Sequence, residues 1–406
     1  MNKSVRENFP TLGVYNAYLN TASLGLIPRS TVSLLNSILS ELSLEPDLED
    51  YLDGVKENAR REIGRLINAK PIEIGFSIQT TECLKKAITM LEPDEGTGVI
   101  SLDLEFPTVT SIIESMCRAK KCKPIVVSSR SLEDLESAFN RAARESNLKK
   151  LIIAVSSVNW VRGFRLKLRE LSKIAHENSG LLIVDGVQQV GALKLDAKKE
   201  DVDILCSGGE KWLLTPCIGA GFMYIREELI SELELPPYGI LNRSEPENKW
   251  SYYWADPNKD PWALPPVSRD AAKYEWGGGP AYFPIAALGE SVKLINSIGI
   301  EAVEEHLMRL RKAILDKAIE NGYTFLSPTS DPERYSSIVL VSTGRGISVD
   351  MKIAKTLRST KYMISYRGAN GFGGIRISPH FYNTLEDIEI FFEEFSRQVR
   401  SASSGI

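Results

Sequence analysis

Between residues 77 and 232 the chain alternates helical stripes with short, unbroken apolar runs, and this alternation constrains its fold more than any other feature. The runs at 98–102, 124–127, 151–155 and 181–185 each have strand length, and none shows the apolar–polar alternation of a strand with one wet face. Strands that read this way are buried on both faces, as in a mostly parallel sheet covered by helices. The stripes between them (Leu84, Ala87, Ile88, Leu91; then Val109, Ile112, Ile113, Met116; then Leu132, Leu135, Ala138, Phe139, Ala142) have helical spacing. The expected class is therefore α/β, with a doubly wound, mostly parallel sheet. Such sheets bind ligands beyond the carboxyl ends of their strands, where Thr80, Phe106, Asn159 and Asp185 fall.

The pattern changes downstream. Residues 235–280 are rich in Pro, Gly and Asn and hold Trp250, Trp254, Trp262 and Trp276, so a long functional or interface loop is expected there. Beyond it, Val303, Leu307, Leu310 and Ile314 form a helical stripe, 337–341 and 362–366 read as strands, and a terminal helix begins near Leu385. Strands and helices segregated in this manner suggest a smaller α+β domain. A chain of 406 residues is also longer than one core usually serves. The expected division is an N-terminal segment 1–20, a large domain 21–284 and a small C-terminal domain 285–406, with residues 401–406 frayed.

Composition narrows the partners. A net charge of −4 gives no support for nucleic acid or an anionic membrane as partner. No apolar run approaches the roughly 20 residues of a spanning helix. The start, MNKSVRENFP, lacks the apolar core of a secretory signal, so the cytoplasm is the expected location. Cys83, Cys117, Cys122, Cys206 and Cys217 lie mostly in apolar segments and read as small buried hydrophobes. His176, His306 and His380 are far apart, with neither HExxH nor paired CxxC, so no metal is expected. No GxGxxG follows the first strand, which disfavours a nicotinamide dehydrogenase.

Two residues carry the chemistry. Asp185 closes an apolar strand, and Lys211 stands on the tight turn Ser207-Gly208-Gly209-Glu210-Lys211-Trp212. Alone, a lysine beside a tryptophan is more often a solvated residue, and a strand ending in Asp is common. Together they match what pyridoxal 5'-phosphate requires: an amine to hold the aldehyde as a Schiff base and a carboxylate to keep the pyridine nitrogen protonated.

The segments Val184-Asp185-Gly186-Val187-Gln188, Lys211-Trp212-Leu213, Gly219-Ala220-Gly221-Phe222 and Tyr366-Arg367-Gly368, with Ile375-Arg376-Ile377-Ser378-Pro379, extend the match. From Asn20 to about Asp387 the chain resembles the fold-type I pyridoxal phosphate enzymes of the class V aminotransferase group. That group also contains cysteine desulfurases, kynureninase and isopenicillin-epimerase-like proteins. The resemblance implies that Lys211 holds the cofactor and then moves the substrate Cα proton, and that Asp185 pairs with the ring nitrogen. It implies that Gln188 and Asn159 hydrogen-bond the phenolic oxygen and that Phe106 stacks on the ring face. Thr80 and Thr81, at a helix start, would bind the phosphate, although plain N-capping by either is the competing explanation. Arg376 would clamp the substrate carboxylate, with Arg367 a second candidate and Ser23 a neighbour. A homodimer with both subunits lining each site is likewise implied by the resemblance.

The chain also departs from the group's pattern. A histidine often precedes the lysine, where Glu210 stands here, and a serine often lies three residues before it, where this chain has Gly208. Ser207, one position earlier, is the candidate substitute at the phosphate. A Gly-Thr that often reaches the neighbouring subunit's phosphate reads Gly277-Gly278, leaving only a backbone N–H at Gly278 to donate. No cysteine follows Cys217, which disfavours a desulfurase with a nucleophilic thiol in its C-terminal third. The expected function is an aminotransferase acting on an α-amino acid and a 2-oxo acid through Lys211. The alternative is an epimerase or kynureninase-like β-lyase on the same residues. Retention of Lys211, Asp185 and Arg376 together argues against a non-catalytic protein on this scaffold.

Overall fold

In the computed structural model, which describes residues 3–279 and 281–403, the apolar runs assemble into one seven-stranded sheet. In chain order the strands are β1 (Ala17–Tyr18), β2 (Ile74–Ser77), β3 (Thr97–Leu102), β4 (Lys123–Val127), β5 (Lys150–Ser156), β6 (Leu181–Asp185), β7 (Ile204–Gly208) and β8 (Gly221–Ile225). They continue with β9 (Thr324–Phe325), β10 (Val339–Ser342), β11 (Tyr362–Met363), β12 (Ser365–Ala369) and β13 (Phe372–Ile377). The large sheet has the order β2-β8-β7-β6-β5-β3-β4. Its members β4, β3, β5, β6 and β7 are mutually parallel, while β8 runs antiparallel to both its neighbours.

Both faces are covered because successive side chains alternate between them. Leu182, Val184 and Leu205 join one apolar cluster with Ile153 and Val155. Ile183, Ile204 and Cys206 join another, against Cys83, Leu84, Ala87 and Ile88 of the Thr80–Met90 helix. The run at 124–127 departs from expectation. It forms the outer strand β4, and Val126 is 68% exposed, so the strand is not buried on both faces. Pro124 fits an edge, where its missing N–H leaves no ladder bond unmade.

The smaller antiparallel sheet is β12-β13-β10-β9. The run at 362–366 divides at Ile364 into β11, which pairs in parallel with β1, and β12, which pairs with β13. The N-terminal segment is thus stitched to the C-terminal part, and an isolated parallel bridge from Asn20 to Ser378 continues the seam. The terminal helix spans Leu385–Ser403, so residues 401–403 are helical rather than frayed; residues 404–406 lie outside the described residues. Within 235–280 the chain makes the short helix Lys249–Ala255, where Trp250 stacks on Trp254 at 5.7 Å. Among the described residues no helix is long and apolar enough to cross a membrane, and no group of His, Cys, Asp and Glu side chains could hold a metal ion.

Candidate active site

Five strand ends and the small sheet converge on one place. β2, β3, β5, β6 and β7 point the same way, and the chain leaves their carboxyl ends through Thr80, Phe106, Asn159, Asp185 and the turn carrying Lys211. That turn is held on three sides. The Gly209 N–H donates to the Ala220 carbonyl at 2.7 Å, the Thr215 N–H donates to the Gly209 carbonyl at 2.8 Å, and the Gly25 N–H donates to the Glu210 carbonyl at 2.9 Å. The N-terminal segment lies so close that a Cβ on Gly25 would stand 2.1 Å from the Lys211 carbonyl oxygen.

The Lys211 amine sits 5.2 Å from the centre of the Phe106 ring. Its pKa is lowered, chiefly by burial, with Arg376 and Arg367 adding to the shift and Glu210 and Asp185 opposing it. The side chain as a whole is half-buried; the amine is its desolvated end. Neutral amine is therefore present at a lower pH than for a free lysine, as nucleophilic attack on a carbonyl requires. Asp185 is 3% exposed and accepts the Val187 N–H at 3.0 Å. Burial pushes its carboxyl up to about 7 against the pull of Lys211 and that N–H, with Glu105 and Glu210 raising it further. A carboxylate buried this deeply, with one hydrogen bond, is suited to a cationic partner.

The start of the Thr80–Met90 helix is open. Its N-cap is Gln79, whose side chain makes no capping bond, so the first-turn N–H groups keep their capacity for an anion. Capping by Thr80 or Thr81 is not seen. The Thr80 hydroxyl instead accepts the Gly208 N–H at 2.8 Å, leaving its own proton to donate. A Cβ at Gly208 would approach Thr80 Oγ1 to 2.9 Å and the Glu210 carboxylate to 2.1 Å, so this position is a cradle that a larger residue would fill. Strand alternation decides the register of the neighbouring serine. Gly208 faces the helix start together with Cys206, whereas Ser207 points to the opposite face and its hydroxyl donates to the Gly208 carbonyl at 3.3 Å. The proposed stand-in at the phosphate thus faces away from it.

Other expected residues are more structural than the resemblance implies. Asn159 accepts the Val161 and Arg162 N–H groups at 3.0 and 2.8 Å and donates to the Leu104 carbonyl at 2.7 Å, so it fastens two loops and keeps one free N–H. Gln188 donates to the Ala22 carbonyl at 3.0 Å and accepts the Trp212 indole N–H at 2.8 Å. Gly278 is not brought to this cluster within one chain. It lines a separate cavity of about 390 Å³ with Trp250, Trp254 and Tyr282. Cys217 is exposed, unlike the other four cysteines, because it sits on a left-handed turn outside the sheet.

From the small sheet, Arg376 reaches in on β13 and is 2% exposed. It donates to the Trp160 carbonyl at 2.7 Å and to the Ser23 hydroxyl at 2.6 Å, while its Nε is buried without a hydrogen-bond partner. Burial, then Arg367, lowers its pKa to about 9. Arg367 on β12 donates to the same Ser23 hydroxyl at 3.2 Å.

Two neighbours escaped the sequence reading. Glu105 is buried and accepts the Ser156 N–H and the Phe106 N–H, both at 2.8 Å, as well as the Ser156 hydroxyl; burial raises its pKa against these bonds. Trp160 packs edge-on against Phe106 with ring centres 5.5 Å apart and donates its indole N–H to the Glu105 carbonyl at 3.2 Å. The available signal was an acid inside the short segment Asp103-Leu104-Glu105-Phe106-Pro107, flanked by apolar residues. The arrangement fits pyridoxal phosphate: an amine, a buried carboxylate, a ring face, an open helix start and a guanidinium with an unused donor.

Comparison with known proteins follows the same line. The model of the family described as Aminotransferase class-V matches residues 45–391. An uncharacterized aminotransferase of Bacillus subtilis (strain 168), YcbU, is 22% identical over 96% of this chain and 96% of its own. A probable cysteine desulfurase of Pyrococcus abyssi is 25% identical over 86% of this chain and 84% of its own. Among solved structures, the apo cysteine desulfurase of Thermococcus onnurineus NA1 superposes with a TM-score of 0.83 at 20% identity, covering 99% of this chain and 98% of that one, a likeness of fold.

Proposed function

The chain belongs to the aminotransferase class-V family, and from that premise we propose that it is a pyridoxal-phosphate-dependent aminotransferase moving an amino group between an α-amino acid and a 2-oxo acid. The observation that supports this best is the convergence of Lys211, Asp185 and the open helix start at Thr80 on one strand edge, with Arg376 facing them from the small sheet.

When bound, the cofactor supplies an aldehyde and an electron-withdrawing ring. The residues of this chain do the remainder. The helix start and the Thr80 hydroxyl hold an anionic phosphate, because unpaired N–H groups and the helix dipole both favour negative charge there. Asp185 keeps a proton on the ring nitrogen, since a cation drawn beside a buried carboxylate returns that carboxylate to its charged form. Phe106 and its buttress Trp160 fix the ring plane. Lys211, shifted by burial toward its neutral form, is the amine that would hold the aldehyde and the base that would move the proton at the substrate Cα. Arg376 grips the α-carboxylate with two parallel hydrogen bonds, one from the Nε that has no partner in the protein.

The cysteines bear on the competing outcome in the same family. Cys83, Cys117, Cys122 and Cys206 are buried, and Cys217 is the last in the chain, so no thiol is available from the small domain to accept sulfur. Aminotransfer is tested by mixing the yellow protein with an L-amino acid alone. One equivalent of 2-oxo acid per site should form with loss of the visible band, and added pyruvate or glyoxylate should restore the band. Continuous turnover of the donor alone would replace aminotransfer with β-elimination or epimerisation.

A further inference from the structure

The wall opposite Lys211 holds more positive charge than one carboxylate requires. Arg376 and Arg367 aim at a single acceptor, the Ser23 hydroxyl, at 2.6 and 3.2 Å. Their remaining bonds go to main-chain carbonyls: Arg376 to Trp160 at 2.7 Å and Arg367 to Tyr366 at 2.8 Å. Among the described residues neither makes an ion pair with a carboxylate. The Arg376 Nε, in a residue 2% exposed, is a buried donor with nothing to bond. Arg358 stands behind Arg367 and donates to the Ile364 carbonyl at 2.9 Å. After burial itself, the charge that lowers the pKa of Arg376 is Arg367, and the charge that lowers that of Arg367 is Arg358.

A buried or half-buried guanidinium without a counter-ion is unfavourable until an anion arrives. The α-carboxylate of an amino acid satisfies Arg376 and leaves Arg367 uncompensated beside it. Resting on the aminotransferase reading above, we infer that Arg367 is a specificity residue for a second carboxylate, so that the preferred substrates are acidic α-amino acids and their 2-oxo diacids. Ser23 lies between the two guanidiniums and keeps them separate by accepting from both. On binding, its hydroxyl shifts from acceptor of both arginines to donor toward either carboxylate.

Calorimetric titration of the cofactor-loaded protein with succinate and with butyrate tests this without turnover, since the two ligands share a chain length and differ by one carboxylate. Succinate should bind about 10- to 100-fold more tightly, the value of a charge-assisted contact. In Arg367→Gln the succinate-to-butyrate ratio should fall to near one. Arg367→Lys, which keeps the charge without the planar fork, should retain part of the preference and shows whether a loss in the first variant is local. Equal affinities in the unaltered protein overturn the inference. So does an equal loss of both ligands in Arg367→Gln, which would make Arg367 part of the α-carboxylate grip. A protein that prefers succinate yet forms no 2-oxo acid from glutamate or aspartate keeps this subsite and loses only the reaction class.

Discussion

Replacing Arg376 by methionine should weaken substrate binding and, at the same time, leave the substrate-free protein as stable as before or more so. The guanidinium is 2% exposed, has no carboxylate partner among the described residues, and carries a pKa lowered to about 9 by burial and by Arg367. A depression of that size from the ordinary arginine value corresponds to on the order of 5 kcal/mol against holding the charge at pH 7. Two hydrogen bonds, to Trp160 and Ser23, offset part of this at about 1.5–3 kcal/mol each. The folded, empty protein should therefore shift by between about −1 and +2 kcal/mol on losing the charge, near neutral or stabilising, as when buried ions give way to apolar residues. Binding should move the opposite way: losing a two-point carboxylate grip removes about 3–6 kcal/mol, a factor of 10² or more in kcat/KM. Thermal melting of the protein without substrate, paired with kinetics on the same preparation, reads both quantities. A melting temperature several degrees below that of the unaltered protein would falsify the argument, because it would make Arg376 a strut between β13 and Trp160 rather than a charge held ready for a ligand.

Lys211→Ala should fold, as judged by circular dichroism, yet release its cofactor on dialysis, because the covalent tether is gone; a visible band surviving dialysis would move the attachment elsewhere. Thr80→Val removes a hydroxyl at the phosphate cradle and should raise the dissociation constant for pyridoxal phosphate by about 10-fold or more while leaving that for pyridoxal alone nearly unaltered; equal losses for both would place Thr80 outside the phosphate site. Asp185 supplies a pH signature. Its folded-state pKa of about 7 lies above the unfolded carboxylate value, so the folded protein without cofactor binds the extra proton between about pH 4 and 7. Its contribution to stability is present below that window and is lost as pH rises through it. In Asp185→Asn this loss disappears, and the melting temperature of the cofactor-free variant should rise relative to the unaltered protein from pH 5 to 8; a difference constant with pH contradicts the assignment.

What could be read from residues alone follows the physics of burial. The runs at 151–155 and 181–185 are apolar because both faces are covered, and they became β5 and β6 with ends within a residue of expectation. The run at 124–127 carries the same letters, but apolarity alone does not separate an edge strand from a central one, and only Pro124 marked the difference. β8 was not read as a strand at all, and an antiparallel strand inside a parallel sheet carries no apolar signature distinct from that of its neighbours. Lys211 and Asp185 were legible only as a pair, because each is ordinary alone and it is the amine on a glycine turn following an acid at a strand end that matches a cofactor's needs. Ser207 was not, because one residue of register reverses the face of a strand and the choice between Ser207 and Gly208 is made by pairing with Phe222 and Gly221. That Arg367 has no carboxylate partner among the described residues was equally invisible, because what surrounds a side chain is set by elements hundreds of residues apart in the chain, as Ser23 and Arg367 are.

The seam between β1 and β11 joins the first part of the chain to be synthesised to nearly the last. Residues 17–20 pair with residues 362–378, and Gly25 is tied to the carbonyl just before Lys211. A ribosome-bound chain can complete the large sheet, with its amine and its acid, long before β11, β12 and β13 emerge. Until they do, the first strand has no partner and Ser23 has no guanidinium to receive, so the amine and the acid can be in place before the arginines that face them.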